Sequence, residues 1–506
     1  MTAARRRTLA LALAAGGVSP FAVPPRTAAA QTVVVGDVGP GRPGRLLRNA
    51  LASRHLTLVR DSQAVLPRDT TYGATVVVVA PSATVASTVH GDVVVVGGDL
   101  FLHPGAVIDG QAIAIGGGVY NSTLAVVRGG RQQFPDQTFA TARGEDTLRL
   151  DYRRIPSRPR EPVQLPGVYG VGLPSYDRVN GVALPFGPRL SLDTARIAID
   201  PLVTYRSHLG AIDPSLAVSA GVGGRTTLGL AAGRGTFTND AWIRPDVLNG
   251  VITLLAARDT RNYYRADRAE LRLARVWETE GAELEPFVAA LTEHAWSSGS
   301  RDPSPEHVAW SIVNRHDTLG MARPNPAVRR GRTSSAVVGS RLRYAKAGLL
   351  GNLVLAAELP VESPGDERYV QTTLDGDLAF DALADHRLQF FAHAVITAGD
   401  LAPPQRFAYL GGNGTIRTRP LLSFGGDQLL FLESRYVIPF SGLSLPLVGS
   451  PTLTLRHLAG SAGAEDLPPL VQNVGVRLTV SALRVDFVID PDSRDTNLGL
   501  SLAFFR

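Results

Sequence analysis

From about residue 166 to the C-terminus the chain alternates apolar and polar residues with a period of two. In Tyr369–Phe380, one face carries Val370, Thr372, Leu374, Gly376, Leu378 and Phe380. The other carries Tyr369, Gln371, Thr373, Asp375 and Asp377. Arg268, Glu270 and Arg272 alternate likewise with Ala269, Leu271 and Leu273. The last strand sets Leu498, Leu500, Leu502 and Phe504 against Gly499, Ser501, Ala503 and Phe505. Successive strand side chains point to opposite faces, so this pattern specifies half-buried β-strands rather than helices. Alternation alone fits a soluble sandwich with one wet face, or a transmembrane barrel with lipid outside and a polar lumen inside.

Three features favour the barrel. Charged residues sit inside the strands, as a polar lumen allows. The strands run long enough to cross the hydrocarbon layer at a tilt. The chain stops with its final strand, at Phe504-Phe505-Arg506. Closure into a barrel also removes the unpaired edges that lipid cannot satisfy. About 340 residues, at roughly 20 per strand and connection, predict about 16 strands, with 12 or 14 open. Trp242, Trp277, Trp296 and Trp310 suit either interfacial girdles or ordinary packing.

Composition agrees. The mean hydropathy is +0.06, and no stretch approaches a membrane-spanning helix. The 52 Gly and 35 Pro supply turns, and the absence of Cys excludes a disulfide scaffold, a Cys-ligated zinc site and a thiol nucleophile. The net charge is +6, of which Arg5, Arg6, Arg7 and Arg26 contribute four within the first thirty residues. The remaining arginines are interspersed with acids, so no basic patch for nucleic acid is indicated.

Those first thirty residues read as a signal peptide. Arg5–Arg7 form a basic start, Leu9–Val23 a short apolar run broken by Gly16, Gly17, Ser19 and Pro20, and Ala28-Ala29-Ala30 a cleavage site. Residues 31–127 then read as a small β-solenoid module. Gly91-Asp92-Val93-Val94-Val95-Val96-Gly97-Gly98 is echoed by Gly110-Gln111-Ala112-Ile113-Ala114-Ile115-Gly116-Gly117, and Thr75–Ala80 precedes both. Short β-branched runs at this spacing, separated by Gly, Pro and Asp turns, predict stacked coils. Residues 44–60 predict one amphipathic helix followed by a strand. Residues 75–120 resemble bactofilin-like β-helical repeats. Residues 128–165, rich in Arg, Pro, Gln and Asp, read as a linker, and 166–506 as the barrel.

The C-terminal third carries a more specific pattern. Tyr409-Leu410-Gly411-Gly412 leads into Ile416-Arg417-Thr418-Arg419, then Glu433-Ser434-Arg435-Tyr436 and Pro439. Gly475-Val476-Arg477, Leu483-Arg484-Val485-Asp486-Phe487 and the closing strand follow. This order resembles the bacterial surface antigen family, the superfamily of the BAM-complex insertase barrel and the two-partner-secretion transporters. Ile416 and Arg417 match the first two positions of its loop motif, Thr418 replaces a Gly and Arg419 an aromatic. Glu433 and Arg435 match its paired strand charges. Tyr176–Gly181 and Arg258–Tyr264 are similar to its early-strand motifs. The resemblance implies that Arg417 folds into the lumen and pairs with a wall acid, with Glu433 and Asp486 as the candidates. It implies an assembly signal at Gly499, Leu502, Phe504 and Phe505. It also implies placement in the bacterial outer membrane, with the N-terminal module in the periplasm. The implied partners are outer-membrane lipids, client polypeptides or periplasmic factors, and the barrel-assembly machinery that inserts the chain.

No catalytic, cofactor or metal site is expected. The histidines form no zinc pattern, and Gly460-Ser461-Ala462-Gly463 lacks the spacing of a nucleophile elbow. Glu283 and Glu285 share a strand face and read as wall charges. The family's client-capturing POTRA repeats have no counterpart upstream. The leading expectation is therefore outer-membrane protein assembly or polypeptide or lipid translocation. A general pore or structural surface barrel, and an outer-membrane hydrolase, remain the alternatives.

Overall fold

The computed structural model describes residues 32–502, apart from 38–41, 53–55, 61–63, 69, 123–124, 136, 144–146, 155–161, 193–195, 280, 299–308, 313–322, 347, 384–385, 441–450 and 481–482. The signal-peptide segment, Phe504 and Phe505 lie outside the described residues, as does the side chain of Leu502.

The N-terminal region is a parallel β-solenoid of about four turns, with three sheets running along its length. In the widest sheet Val76 pairs with Val93, Val93 with Ala112 and Ala112 with Arg131, each in the next coil. Val76, Val78, Val93, Val95, Ala112 and Ala114 fill the interior. Val77, Val94 and Ile113 point outward from the same sheet, yet they too are buried, under Leu47 and Ala50 of the helix Arg42–Leu51 and under Phe139 and Leu150. Burial on both faces explains why these strands are continuous β-branched runs rather than alternating ones. A glycine stands at one corner of successive coils. A Cβ on Gly91 would lie 2.3 Å from the Thr75 nitrogen, and one on Gly129 would lie 2.6 Å from the Gly110 carbonyl carbon. Only glycine lets the backbones stack this closely.

The segment 128–165 departs from the linker expectation. It forms the strands Arg131–Phe134, Gln137–Arg143 and Thr147–Arg154, and the first of these is the end of the five-stranded solenoid sheet. Thr147–Arg154 pairs with both Gln137–Arg143 and Thr32–Asp37. Its polar composition hides the strands because only one face, through Phe139 and Leu150, needs to be apolar.

The C-terminal region is a single antiparallel sheet of nineteen ladder segments. Val163–Gln164 and Ser175–Asp177 together form the first strand, Gly181–Phe186 and Arg189–Leu192 the second, and Tyr264–Arg275 and Trp277–Thr279 the sixth. Sixteen strands result, all in meander order, and they curl into a barrel. Val370 and Leu378 point outward and are exposed, whereas Tyr369 and Gln371 of the same strand are buried inward. Leu230, Leu271, Val338, Leu355, Leu432, Val476 and Phe487 continue the exposed apolar surface around the wall.

The two ends differ. Tight turns such as 224–225 lie at the end that meets the solenoid, while long connections at 238–263 and 400–427 lie at the other. The solenoid is tied to the turn end by ion pairs. Arg387 Nη1 lies 2.6 Å from Asp109 Oδ2, and Arg42 pairs with Glu278. Burial raises the Asp109 carboxyl, but His90, Arg128 and Arg387 outweigh it and hold the group at about 2.

Candidate functional site: a loop pinned inside the barrel

The 400–427 connection joins the eleventh strand, Arg387–Gly399, to the twelfth, Gln428–Pro439. It does not stand away from the barrel. It folds over a single 3-10 turn, Pro404–Arg406, and a small hairpin of Ala408–Leu410 with Phe424–Gly426, and packs inward. Ile416 is fully buried against Leu410, Leu429, Phe431 and Leu458, with Trp242 from another long connection beside them. Gly460 makes room, since a Cβ there would lie 3.1 Å from Leu410 Cδ1 and 3.3 Å from Ile416 Cδ1.

The turn that presents Arg417 has a specific geometry. Gly411, Gly412 and Gly414 all have positive φ, at 119°, 78° and 108°. That region favours glycine. The Ile416 carbonyl accepts from the Gly412 N–H at 2.9 Å, and Thr415 Oγ1 accepts from the Gly411 N–H at 2.9 Å. Thr418, standing where the family pattern has Gly, has no positive φ and needs no glycine. It is held by Asn473, whose Nδ2 donates to Thr418 Oγ1 at 2.8 Å.

Arg417 Nη1 lies 3.2 Å from Asp486 Oδ2, and its Nε donates to Asn413 Oδ1 at 3.1 Å. Asp486 is fully buried on the fifteenth strand, Leu483–Ile489. Its Oδ1 also accepts from Arg456 Nη1 and Arg477 Nε, both at 2.7 Å. Glu433 is not Arg417's ion partner. It is engaged bidentately by Arg435, at 2.7 and 2.6 Å, and by Arg456 Nη2 at 2.6 Å. Forked guanidinium–carboxylate contacts of this kind fix orientation as well as charge. Arg419, in the aromatic position of the motif, lies 3.0 Å from Asp490 Oδ2. Gly499 stands beside Asp486 in the closing ladder, and a Cβ there would lie 2.6 Å from Arg417 Nη2.

A second arginine anchors the other end of the loop. Arg406 Nη1 donates to Glu293 Oε1 at 2.7 Å, and its Nε donates to Glu358 Oε2 at 3.0 Å. Glu293 lies on the seventh strand, Ala282–Ser297, and Glu358 on the ninth, Leu349–Glu362. Tyr264 Oη donates to Glu293 Oε2 at 3.1 Å. Asp486 is eight strands further round the sheet than Glu293, so the loop is held on two opposed walls.

The two early-strand motifs also meet. The Arg178 N–H donates to Asp259 Oδ2 at 3.0 Å, and Arg178 lies 5.7 Å from the Tyr263 ring centre. Asn249 of the helix Asp246–Ala256 donates to Asp259 Oδ1 at 3.0 Å. Burial pushes the Asp240 carboxyl in this loop layer up to about 7, although the Asn262 N–H donates to it. Glu283 and Glu285 sit on the wall with Arg343 and Arg272, at 2.6 and 3.0 Å.

Arg406, Arg456, Glu293 and Glu358 were not among the expected site residues. Arg456 could have been found from its strand, where Thr454, Arg456 and Leu458 alternate with exposed Leu455. Arg406 has no such periodic signal.

No family model matches the sequence, and no curated protein matches it. Among solved structures the chain is similar to CdiB from Acinetobacter baumannii, with a TM-score of 0.37 and 13% identity, covering 72% of this chain and 64% of that one. It is similar to CdiB from Escherichia coli, with a TM-score of 0.37, 13% identity and coverages of 72% and 67%. It is also similar to BamA from Haemophilus ducreyi lacking POTRA domains 1-3, with a TM-score of 0.41, 10% identity and coverages of 72% and 75%. The chain thus spans less than two thirds of the A. baumannii protein.

Proposed function

We propose that the chain is an outer-membrane β-barrel of surface-antigen type. In this reading it acts in outer-membrane protein assembly or in the passage of polypeptide or lipid, with its solenoid on the periplasmic side. The observation that carries the proposal is the 400–427 loop, folded inward and held on opposed walls by Arg406 and Arg417. A loop invested with two buried ion-pair anchors is a built element of the lumen. The exposed apolar residues around the wall support contact with lipid, since a soluble protein rarely exposes so much. Short turns at the solenoid end and long connections at the other support a periplasmic solenoid, because such barrels keep short turns on that side. The partners in this reading are outer-membrane lipids and client polypeptides, with the barrel-assembly machinery inserting the chain itself.

The test is to deplete the protein in its host and measure outer-membrane protein and lipid composition, alongside conductance of the purified barrel in planar bilayers. A changed composition with low conductance is expected. Large steady conductance with unchanged composition would overturn the proposal in favour of a pore.

A further inference from the structure

A cavity of about 590 Å³ lies where the solenoid meets the turn end of the barrel. Its wall is strongly one-sided in charge, with seven arginines against two glutamates. The helix Arg42–Leu51 supplies Arg42, Arg45 and Arg48, spaced three apart on one face, while Leu47 and Ala50 are buried against the solenoid. The last solenoid coils add Arg128 and Arg131. The barrel adds Arg225 from a tight turn and Arg343 from the eighth strand.

The acids present are already used. Glu278 takes Arg42 and Arg225, Glu283 takes Arg343, and Asp109 outside the cavity takes Arg128. Arg45, Arg48 and Arg131 face no carboxylate among the described residues. Burial lowers the Arg42 guanidinium below its usual value, and Arg225 and Arg45 add to that against Glu278. Like charges gathered in a cleft with low-dielectric walls concentrate counter-anions there. Planar guanidinium forks match phosphate oxygens bidentately. The volume falls within the roughly 300–1,000 Å³ of small-molecule sites and is too small for a folded partner. Leu46 and Tyr344 give the cavity an apolar flank.

We infer that this cavity binds a small anion bearing two or more phosphate-type charges, held by Arg45, Arg48 and Arg131 on the solenoid side of the seam with the barrel. The chemistry is shared by an anionic lipid headgroup and a soluble oligophosphate.

The test uses the full-length protein with two probes. Inorganic pyrophosphate is titrated calorimetrically in detergent at low and high salt. Cardiolipin retention is read by native mass spectrometry from phosphatidylcholine nanodiscs doped with cardiolipin. The variant Arg45→Gln/Arg48→Gln/Arg131→Gln changes only exposed side chains, and Arg330→Gln, exposed before the strand that starts at the opposite end, is the control. Binding of either probe is expected to weaken about tenfold or more in the triple variant and to be unchanged in the control. Pyrophosphate binding assigns a soluble source, and cardiolipin retention alone assigns a lipid one. Binding of neither probe, or equal binding by the triple variant, would overturn the inference.

Discussion

Arg417 Nη1 lies 3.2 Å from Asp486 Oδ2, although the two belong to a loop and to a strand separated by three others in the sheet. Asp486 is fully buried and also accepts from Arg456 and Arg477. Stripping a buried ion of its partner typically costs about 3–5 kcal/mol. Here two guanidinia would remain, so Arg417→Ala is expected to cost about 2 kcal/mol, below that range. The readout is the fraction of folded, heat-modifiable barrel and the temperature at which it unfolds. Unchanged heat-modifiability would remove the latch role from Arg417.

Arg406 is the stricter case. Glu293 and Glu358 both depend on it, and what remains to them is the neutral Tyr264 and Ser335 hydroxyls and the more distant Arg268, 4.0 Å from Glu293 Oε2. Arg406→Ala is therefore expected to destabilise by about 3–5 kcal/mol, more than Arg417→Ala. Arg406→Lys should recover only part of this, because an ammonium cannot engage both carboxylates in forked geometry. Urea unfolding of the assembled barrel measures both, and equal stability of Arg406→Ala and the parent would refute the anchor.

Gly499 gives a test that depends on shape rather than charge. A side chain there meets the Arg417 guanidinium, 2.6 Å from the added Cβ. Gly499→Val should destabilise the parent and be milder in an Arg417→Ala background. A double-mutant cycle should give a coupling of roughly 1 kcal/mol. Simple additivity would mean that the two side chains do not compete for the same space.

The solenoid–barrel contact carries a pH signature. The folded-state value of Asp109 is depressed to about 2, so its contribution is fully present above the usual carboxylate range and is lost as pH falls through that value. The shift corresponds to roughly 2 kcal/mol for this buried group. Release of the solenoid from the barrel, read as the rate of limited proteolysis of the full-length chain, should be constant from neutral pH to about 4 and rise between about 4 and 2. Asp109→Asn should show the raised rate already at neutral pH. A rate independent of both changes would separate docking from this carboxylate.

The barrel was legible in the sequence because each wall strand has one apolar and one polar face, a pattern that survives without neighbours. The solenoid repeats were legible because each coil repeats one corner glycine and one β-branched run. The strands of 131–154 were not, since an end coil such as Arg131–Phe134 has a neighbour on one side alone and tolerates Arg and Gln. The resemblance put Arg417 beside Glu433 or Asp486. It reaches Asp486, because Arg435 and Arg456 already occupy Glu433. Arg406 was invisible for a different reason. It sits on one 3-10 turn with no period, and its acids lie 113 and 48 residues away in the chain.

The central claim is that the loop bearing Arg417 lies inside the barrel. The chain contains no cysteine, so single-cysteine variants across 409–440 can be labelled without altering any native thiol. With an impermeant maleimide on intact cells, Pro420→Cys and Ser423→Cys should label, because these positions are exposed. Thr415→Cys and Ile416→Cys should be protected, because both are fully buried. Labelling of Ile416→Cys as fast as Ser423→Cys, in a barrel that remains heat-modifiable, would contradict the account.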